Sequence, residues 1–586
     1  APPGLHYDEA ANGILAGDIG LRGERPIFIS SYTGKEAAFF YLAGGLMRLV
    51  GESVFSLRLT AAFAGILTIA ATYWLGREML ADRRQALLAA ALLAVSFWHV
   101  LFSRLGFRAI TEPLLQALAI AALFRGLRRD DSRWLAAAGV LLGLTAYTYL
   151  AARVFPILVL LGLLSLFIGS ENWRLRLRQV ALFLGAALLT LLPLLGYFWA
   201  NPDAFWVRIG QVAPSAAPGS TPLTIWSSLL ESWGMFFLRG DPFLRFNLPG
   251  RPLFGWVVGG LLLVGWFICL WRWRRFPYDW QRAAISLLVF APIIMILPTA
   301  LATNELVPSN LRAIGLIPFI YFLPAIGFVI LFADLEKRFG FPPLQAAVLI
   351  AFFLILLSGG LATAQAYFMD WAREPQLLYE TDGDLSAVSE FLNQQNMEGQ
   401  TVYVAAPHYR HPTVAFLSDR YEAIKWLPES NALVLPAAGS SLYIYPHNSP
   451  QPPWTADILQ SAAPLQIPDT RFPADAFSAY LLPAPPAFDI GHPLDADFGG
   501  KVTLLGYDTA APAAAGSDLA LTLYWRVNEV PTADYQPFIQ LEDAQGHRWS
   551  QLEAFAYPAE QWQPGETIIQ QVEVPIPRGA PPGDYQ

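Results

Sequence analysis

The chain has 586 residues, of which 54% are hydrophobic and only 14% charged, about half the charged share of an ordinary soluble domain. A mean hydropathy of +0.39 excludes a typical soluble protein, and a net charge of −8 without any basic run excludes a nucleic-acid partner. Cys269 is the one cysteine, which rules out an internal disulfide and a cysteine-based metal site.

In chain order, residues 1–53 mix polar and apolar positions without a long apolar run. They are expected to form a first outer loop of short interfacial helices. This segment holds "GLHYDEAANGILAGDIG" and "SYTGKEAAFFYL", and with them the acid pair Asp8 and Glu9 and the cation Lys35.

Residues 54–370 form a transmembrane region of ten apolar runs, at 54–76, 86–103, 108–127, 133–150, 153–170, 179–199, 252–271, 282–302, 311–333 and 342–364. Each is near the roughly 20 residues of a spanning helix. Alternate connections are rich in arginine: Arg77, Arg83 and Arg84, then Arg125, Arg128, Arg129 and Arg133, then Arg174, Arg176 and Arg178. The positive-inside rule turns these to the cytoplasm and the remaining connections, both visible ends included, outward. An even count with both ends outside leads us to expect one more helix before Ala1 and to read both ends as incomplete.

Composition shifts near residue 370. "DLSAVSEFLNQQ" reads as a helix and "TVYVAA" and "SLYIYP" as buried strands, so residues 371–486 are expected to form an extracytoplasmic α/β domain. In residues 487–586 the alternation of "DLALTLYWRV" places Leu519, Leu521, Leu523 and Trp525 on one face. The expectation there is a truncated extracytoplasmic β-sandwich.

Several charges lie on the side opposite to the cytoplasmic arginines. The outer turns carry Arg104 and Arg108 in "FSRLGFRAITEP", Arg153 in "AYTYLAARVFP" and Arg312 in "PSNLRAIGLIPF", and Glu112 follows Arg108 by one helical turn. Ionisable groups near membrane depth are costly and turn to the bundle interior. Guanidinium groups suit phosphate oxygens, and a nearby carboxylate suits proton abstraction from a hydroxyl. Together they point to a lipid-linked phosphate donor. The plainer alternatives are a solvated acid pair at Asp8 and Glu9, arginines that snorkel to headgroups, and Tyr147 and Tyr149 as interface aromatics. His99 reads as a packed histidine and not as a metal ligand.

"HYDEA…LAGD…GKEAAFFYL" resembles the first outer loop of GT-C glycosyltransferases in the glycosyltransferase family 39-like group of protein O-mannosyltransferases and the lipid A aminoarabinose transferase. "SRLGFR…E" resembles the family's junction of third and fourth helices, and "LRAIGLIPFIYFLPA" its late Arg-and-Pro helix. The likeness covers roughly residues 1–370. Lys35 keeps the family lysine, but Glu36, Ala37 and Ala38 stand where the family has prolines. What the resemblance implies is a polytopic α-helical membrane protein that moves a sugar, with inversion, from a polyprenyl-phosphate donor to an extracytoplasmic protein, glycan or lipid acceptor. By position, Asp8 would be the catalytic carboxylate and Glu9 its neighbour. Lys35, Arg104, Arg108 and Arg312 would hold the donor phosphate, with Glu112, Tyr147, Tyr149 and Arg153 lining the substrate cavity. No residues are assigned to a metal; a divalent metal is compatible with the scheme but not required by it. The partners implied are the bilayer, the lipid-linked donor and the acceptor, and a membrane-complex partner is compatible with them.

Two other classes are compatible with polytopic topology. A non-catalytic scaffold would bind a partner through its outer domains, but has no need for Asp8, Lys35 and the arginines together. A transporter would keep its charges near the midplane, whereas these gather at one face.

Overall fold

The computed structural model describes residues 2–586 except 33, 81, 169, 171, 213–221, 274–277, 340–341, 430, 466, 468–470, 510–511, 532–534, 536 and 554–556. Its contacts divide the chain into two compact units, Ala1–Pro3 with Ala11–Glu380 and Gly4–Ala10 with Thr381–Gln586.

The first loop holds helix α1 (Tyr7–Gly20), a minimal antiparallel pair β1 (Phe28–Ile29) and β2 (Lys35–Glu36), and helix α2 (Ala38–Val50). Both helices are shorter than a membrane span. Phe39, Phe40, Ala43 and Met47 form the buried stripe of α2.

Every apolar run read from the sequence contains helix among the described residues. The first gives α3 (Val54–Met79), opened by a capping box in which the Ser53 and Ser56 side chains each accept from the other's backbone N–H. The second is broken into α4 (Arg83–Ala94) and α5 (Phe97–Phe102). The third enters through a tight turn, Arg108–Ile110, into α6 (Thr111–Arg129). Then come α7 (Ser132–Thr145), α8 (Phe155–Ser165) and α9 (Trp173–Ala200). After α10 (Pro202–Val212) and α11 (Pro222–Gly234) follow α12 (Trp256–Arg272), α13 (Asp279–Ile294), α14 (Leu297–Ala300), α15 (Phe319–Phe339), α16 (Pro342–Gln365) and α17 (Pro375–Glu380).

Among the described residues, five helical stretches are long and apolar enough to cross a membrane: Val54–Met79, Arg108–Arg129, Trp173–Ala200, Asp279–Ala300 and Ala346–Trp371. The chain is a multi-pass membrane protein. The other runs are shorter or interrupted helices because turn and proline positions sit inside them. Pro156, for example, starts α8 at its first turn, where a missing N–H costs nothing. Close packing of the bundle uses small residues. Gly265 of α12 meets Leu323 of α15 so closely that an added Cβ would strike its carbonyl oxygen.

The second unit holds α18 (Gly383–Gln394), β3 (Gln400–Ala406), α19 (Pro412–Leu417), β4 (Ile424–Pro428), β5 (Ala432–Leu435), β6 (Ser440–Pro446), β7 (Ala463–Pro464) and β8 (Phe477–Leu482). It continues with β9 (His492–Phe498), β10 (Val502–Thr509), β11 (Asp518–Val527), β12 (Phe538–Glu542), β13 (Arg548–Glu553) and β14 (Thr567–Pro575).

One sheet runs β4-β3-β6-β8-β7, with β3 parallel to both its neighbours. The other, antiparallel throughout, runs β5-β14-β11-β10-β9, and β12 pairs with β13. The strand β5 lies before residue 486 in sequence yet pairs with β14, Ile569 opposite Leu433. One core therefore crosses the boundary expected at that point, with Tyr403, Tyr443, Leu433, Tyr524 and Ile569 in a single buried cluster. Leu521, Leu523 and Trp525 do share a face, which lines a cavity of about 810 Å³.

Candidate functional site

In the helical unit, β2 turns both Lys35 and Glu36 into the interior, at 3% and 4% exposure. The Lys35 Nζ donates to Asn12 Oδ1 at 3.0 Å, and Asn12 Nδ2 donates to the carbonyl of Gly106 at 2.8 Å. Asn12 thereby ties the lysine to the "SRLGFR" turn between α5 and α6. Glu36 Oε2 accepts from Arg108 Nε at 3.1 Å, and its Oε1 lies 3.8 Å from an Arg153 terminal nitrogen. One carboxylate holds two guanidinium groups that would otherwise repel.

Neighbouring elements fix these groups. The Tyr149 ring lies under the Arg108 guanidinium, 5.3 Å from its centroid. The backbone N–H of Ala38 donates to the Tyr147 carbonyl at 2.9 Å, which pins the start of α2 to the turn after α7. Tyr147 Oη donates to the Thr190 carbonyl at 3.0 Å. Arg153 donates to the Phe205 carbonyl at 3.2 Å and packs over the Phe198 and Phe205 rings. Glu112, fully buried in the first turn of α6, accepts from Gln116 Nε2 at 2.7 Å and lies within electrostatic reach of Glu36. Its Oε2 has no hydrogen-bond partner among the described residues.

Arg104 and Arg312 have other neighbours. The Arg104 guanidinium lies over the rings of Tyr367 and Phe368, at 5.1 and 5.7 Å. Arg312 pairs with Glu305. Asp8 and Glu9 open α1 and belong to the second unit. His6 caps this helix: its Nδ1 accepts from the Asp8 backbone N–H at 3.0 Å and lies 3.9 Å from Asp8 Oδ2. The Asp8 side chain is about half exposed, at 47%, while Glu9 is fully buried. His99 is a packed core residue whose Nε2 meets the Gly65 carbonyl at 3.0 Å.

Sequence reasoning thus picked out Lys35, Arg108, Arg153, Tyr149 and Glu112, which the fold gathers in the helical unit. It passed over Asn12, Glu36 and His6. Glu36 was visible only as a departure from a family motif; Asn12 had one signal, its position four residues after Asp8 on a helix. A cavity of about 480 Å³, lined by Ser96, Trp98, Arg251, Tyr321 and Thr363 among others, contains none of these groups. Among the described residues no set of three or more His, Cys, Asp or Glu side chains is placed to hold a metal ion.

Residues 37–199 match the family described as dolichyl-phosphate-mannose-protein mannosyltransferase. That segment runs from α2 to the end of α9 and contains Arg108, Glu112, Tyr149 and Arg153. Among solved structures the chain is similar to ArnT from Cupriavidus metallidurans bound to undecaprenyl phosphate, at 15% identity over 82% of this chain and 94% of that one, with a TM-score of 0.48. It is also similar to the archaeal oligosaccharyltransferase AglB from Archaeoglobus fulgidus in complex with an inhibitory peptide and a dolichol-phosphate. There the identity is 16% over 72% of this chain and 61% of that one, with a TM-score of 0.44. A sequence comparison with curated proteins gives no match.

Proposed function

We propose that this protein transfers a sugar from a polyprenyl-phosphate donor to an acceptor outside the cytoplasm. The observation that carries the reading is the pairing of buried Arg108 and half-buried Arg153 with buried Glu36, next to buried Lys35 in β2, partly within the segment that matches a mannosyltransferase family. Buried cations are expensive to maintain in a membrane protein, and a phosphate is the ligand that paired guanidinium donors fit.

In this scheme an acceptor hydroxyl attacks the anomeric carbon, the carbon–oxygen bond to the phosphate breaks, and the hydroxyl proton passes to the Asp8 carboxylate. The departing lipid phosphate gains a negative charge, which preorganised cations stabilise. Lys35 and Arg108 are the best-supported phosphate groups. Arg104 and Arg312 complete the proposed set, Arg153 and Glu36 hold its geometry, and Glu9 and Glu112 are further acids of the site. In this reading the arginine-rich connections turn to the cytoplasm, as the positive-inside rule favours, and the site faces outward. Residues 1–53 and 54–370 form the catalytic part, and residues 371–486 and 487–586 form outer domains.

Turnover of radiolabelled polyprenyl-phosphate mannose by the purified protein tests this. Asp8→Asn keeps the side chain's size and removes the base, so transfer should vanish while binding of the lipid phosphate persists. Transfer by Asp8→Asn at the wild-type rate would overturn the assignment.

A further inference from the structure

The segment that carries Asp8 is held by residues distant in sequence, all of them in the second unit. Gly4 N–H donates to Thr381 Oγ1 at 3.3 Å, Leu5 N–H to Ser386 Oγ at 3.2 Å, and Tyr7 N–H to Asp382 Oδ2 at 2.5 Å. The Leu5 carbonyl accepts from Thr413 Oγ1 at 2.9 Å. The Tyr7 ring stands edge-on to two imidazoles, His408 at 5.5 Å and His411 at 5.1 Å, which are themselves stacked 6.1 Å apart.

The fit is close. A Cβ on Gly4 would collide with the Thr381 carbonyl and the Gly383 backbone, so only glycine admits this approach. Leu5, Thr381, Ser386, His411 and Thr413 are all buried. His411 is locked in turn, because its Nδ1 accepts from Thr413 N–H at 3.3 Å and caps α19. The backbone donors of Gly4, Leu5 and Tyr7 thus end on side chains around the start of α18, and the Tyr7 ring stands edge-on to two histidines. Immediately after them α1 begins, with His6 as its cap and Asp8 in its first turn.

We infer that the start of α18 (residues 381–386) and the 408–413 loop are positioning elements for Asp8, the proposed base, within the second unit. The inference rests on the reading of Asp8 as the base. A carboxylate that must meet an acceptor hydroxyl in the transition state tolerates little displacement, since an error of about 1 Å can cost roughly 100-fold in rate. Anchoring the first turn of α1 through four hydrogen bonds and two ring contacts removes that freedom. Lipid-phosphate binding, assigned to the other unit, is left unaffected.

Two readouts on the full-length protein test it: amide hydrogen exchange of residues 4–8, and turnover of radiolabelled polyprenyl-phosphate mannose with its KM. Tyr7→Ala, and separately Thr381→Val combined with Ser386→Ala, should speed exchange in residues 4–8 by about tenfold. They should also lower kcat by roughly 10–100-fold at unchanged donor KM. Tyr7→Phe keeps the ring edge-on to the imidazoles and should restore most of the rate. Asp8→Asn should abolish turnover with exchange unchanged. Faster exchange at a wild-type kcat would overturn the positioning role, as would unchanged exchange in Tyr7→Ala. If the Thr381 and Ser386 variant does not fold, the comparison of Tyr7→Ala with Tyr7→Phe decides. Full activity in Asp8→Asn would mark a failure of the functional reading, separable because exchange reports the anchoring by itself.

Discussion

Arg108 and Arg128 stand at opposite ends of one helical stretch, about 30 Å apart at 1.5 Å per residue, and they have opposite kinds of surroundings. At the far end Arg125 and Arg128 both pair with Glu78, at 3.0 and 3.2 Å, and the Arg128 side chain is 38% exposed. Nearby in sequence terms, Arg176 grips Asp279 with two nitrogens at 2.7 and 2.8 Å. These pairs join α3 to α6 and α9 to α13. At the near end Arg108 is buried and shares Glu36 with Arg153, while Lys35, next to Glu36 in β2, is buried and donates to Asn12. Each end thus sets two guanidinium groups on one carboxylate, Arg108 and Arg153 on Glu36 and Arg125 and Arg128 on Glu78. Arginine count does not separate the two ends. Burial does: the Arg108 side chain is 9% exposed.

The sharpest way to break the contrast is Arg108→Ala. If the near end binds the donor phosphate, losing this group should lower turnover by about 10²–10³-fold and weaken binding of polyprenyl phosphate, measured by retention of radiolabelled lipid on the purified protein. Wild-type binding and rate in a folded Arg108→Ala protein would reduce the near end to another structural pair.

Much of this arrangement was legible in the sequence. Apolar runs of near-spanning length carry their own signal, and each contains helix among the described residues. Arg108 and Arg153 stood out because they break the charge alternation of the connections. Lys35 and Glu36 show where legibility stops. Successive strand residues ordinarily face opposite sides, so nothing local says that both turn inward; that follows from a two-residue pairing with Phe28 and Ile29. Likewise β5 belongs by sequence to the α/β region and by hydrogen bonding to the antiparallel sheet. Gly4 meets Thr381 across 377 positions, a separation over which neither periodicity nor motif spacing carries information.

A smaller effect concerns the segment between α11 and α12, which is buried at Met235, Phe236 and Asp241. Asp241 accepts from the backbone N–H groups of Phe243 and Asn310 at 2.8 and 2.7 Å. Burial nevertheless pushes its pKa from 3.8 up to about 6, against the pull of those bonds and of Arg312. Between these two values the folded chain keeps a proton that the unfolded chain has released. Stability is therefore greatest below pH 4 as far as this group is concerned, and falls as pH rises to 6, by about 2–3 kcal/mol. Thermal unfolding of the detergent-solubilised protein should show that slope, and Asp241→Asn should flatten it. An unchanged slope in the variant would assign the pH dependence elsewhere.

The smallest effect is expected at the far end, and it completes the contrast. Arg128→Ala removes the pair to Glu78, a donor to the Arg77 and Glu78 carbonyls at 3.3 and 3.2 Å, and a guanidinium 4.9 Å from the Trp280 ring centroid. Glu78 keeps Arg125, so no buried charge is left alone. Half-exposed pairs of this kind contribute about 0.2–1 kcal/mol, so the unfolding midpoint should drop by only a few degrees. Donor binding and turnover should be those of the wild type, because the lost charge sits a whole helix away from Lys35 and beyond several Debye lengths of about 10 Å at 0.1 M salt. Should Arg128→Ala cut turnover as deeply as Arg108→Ala while the fold persists, the two ends would be equivalent. Burial around Glu36 would then no longer mark the site.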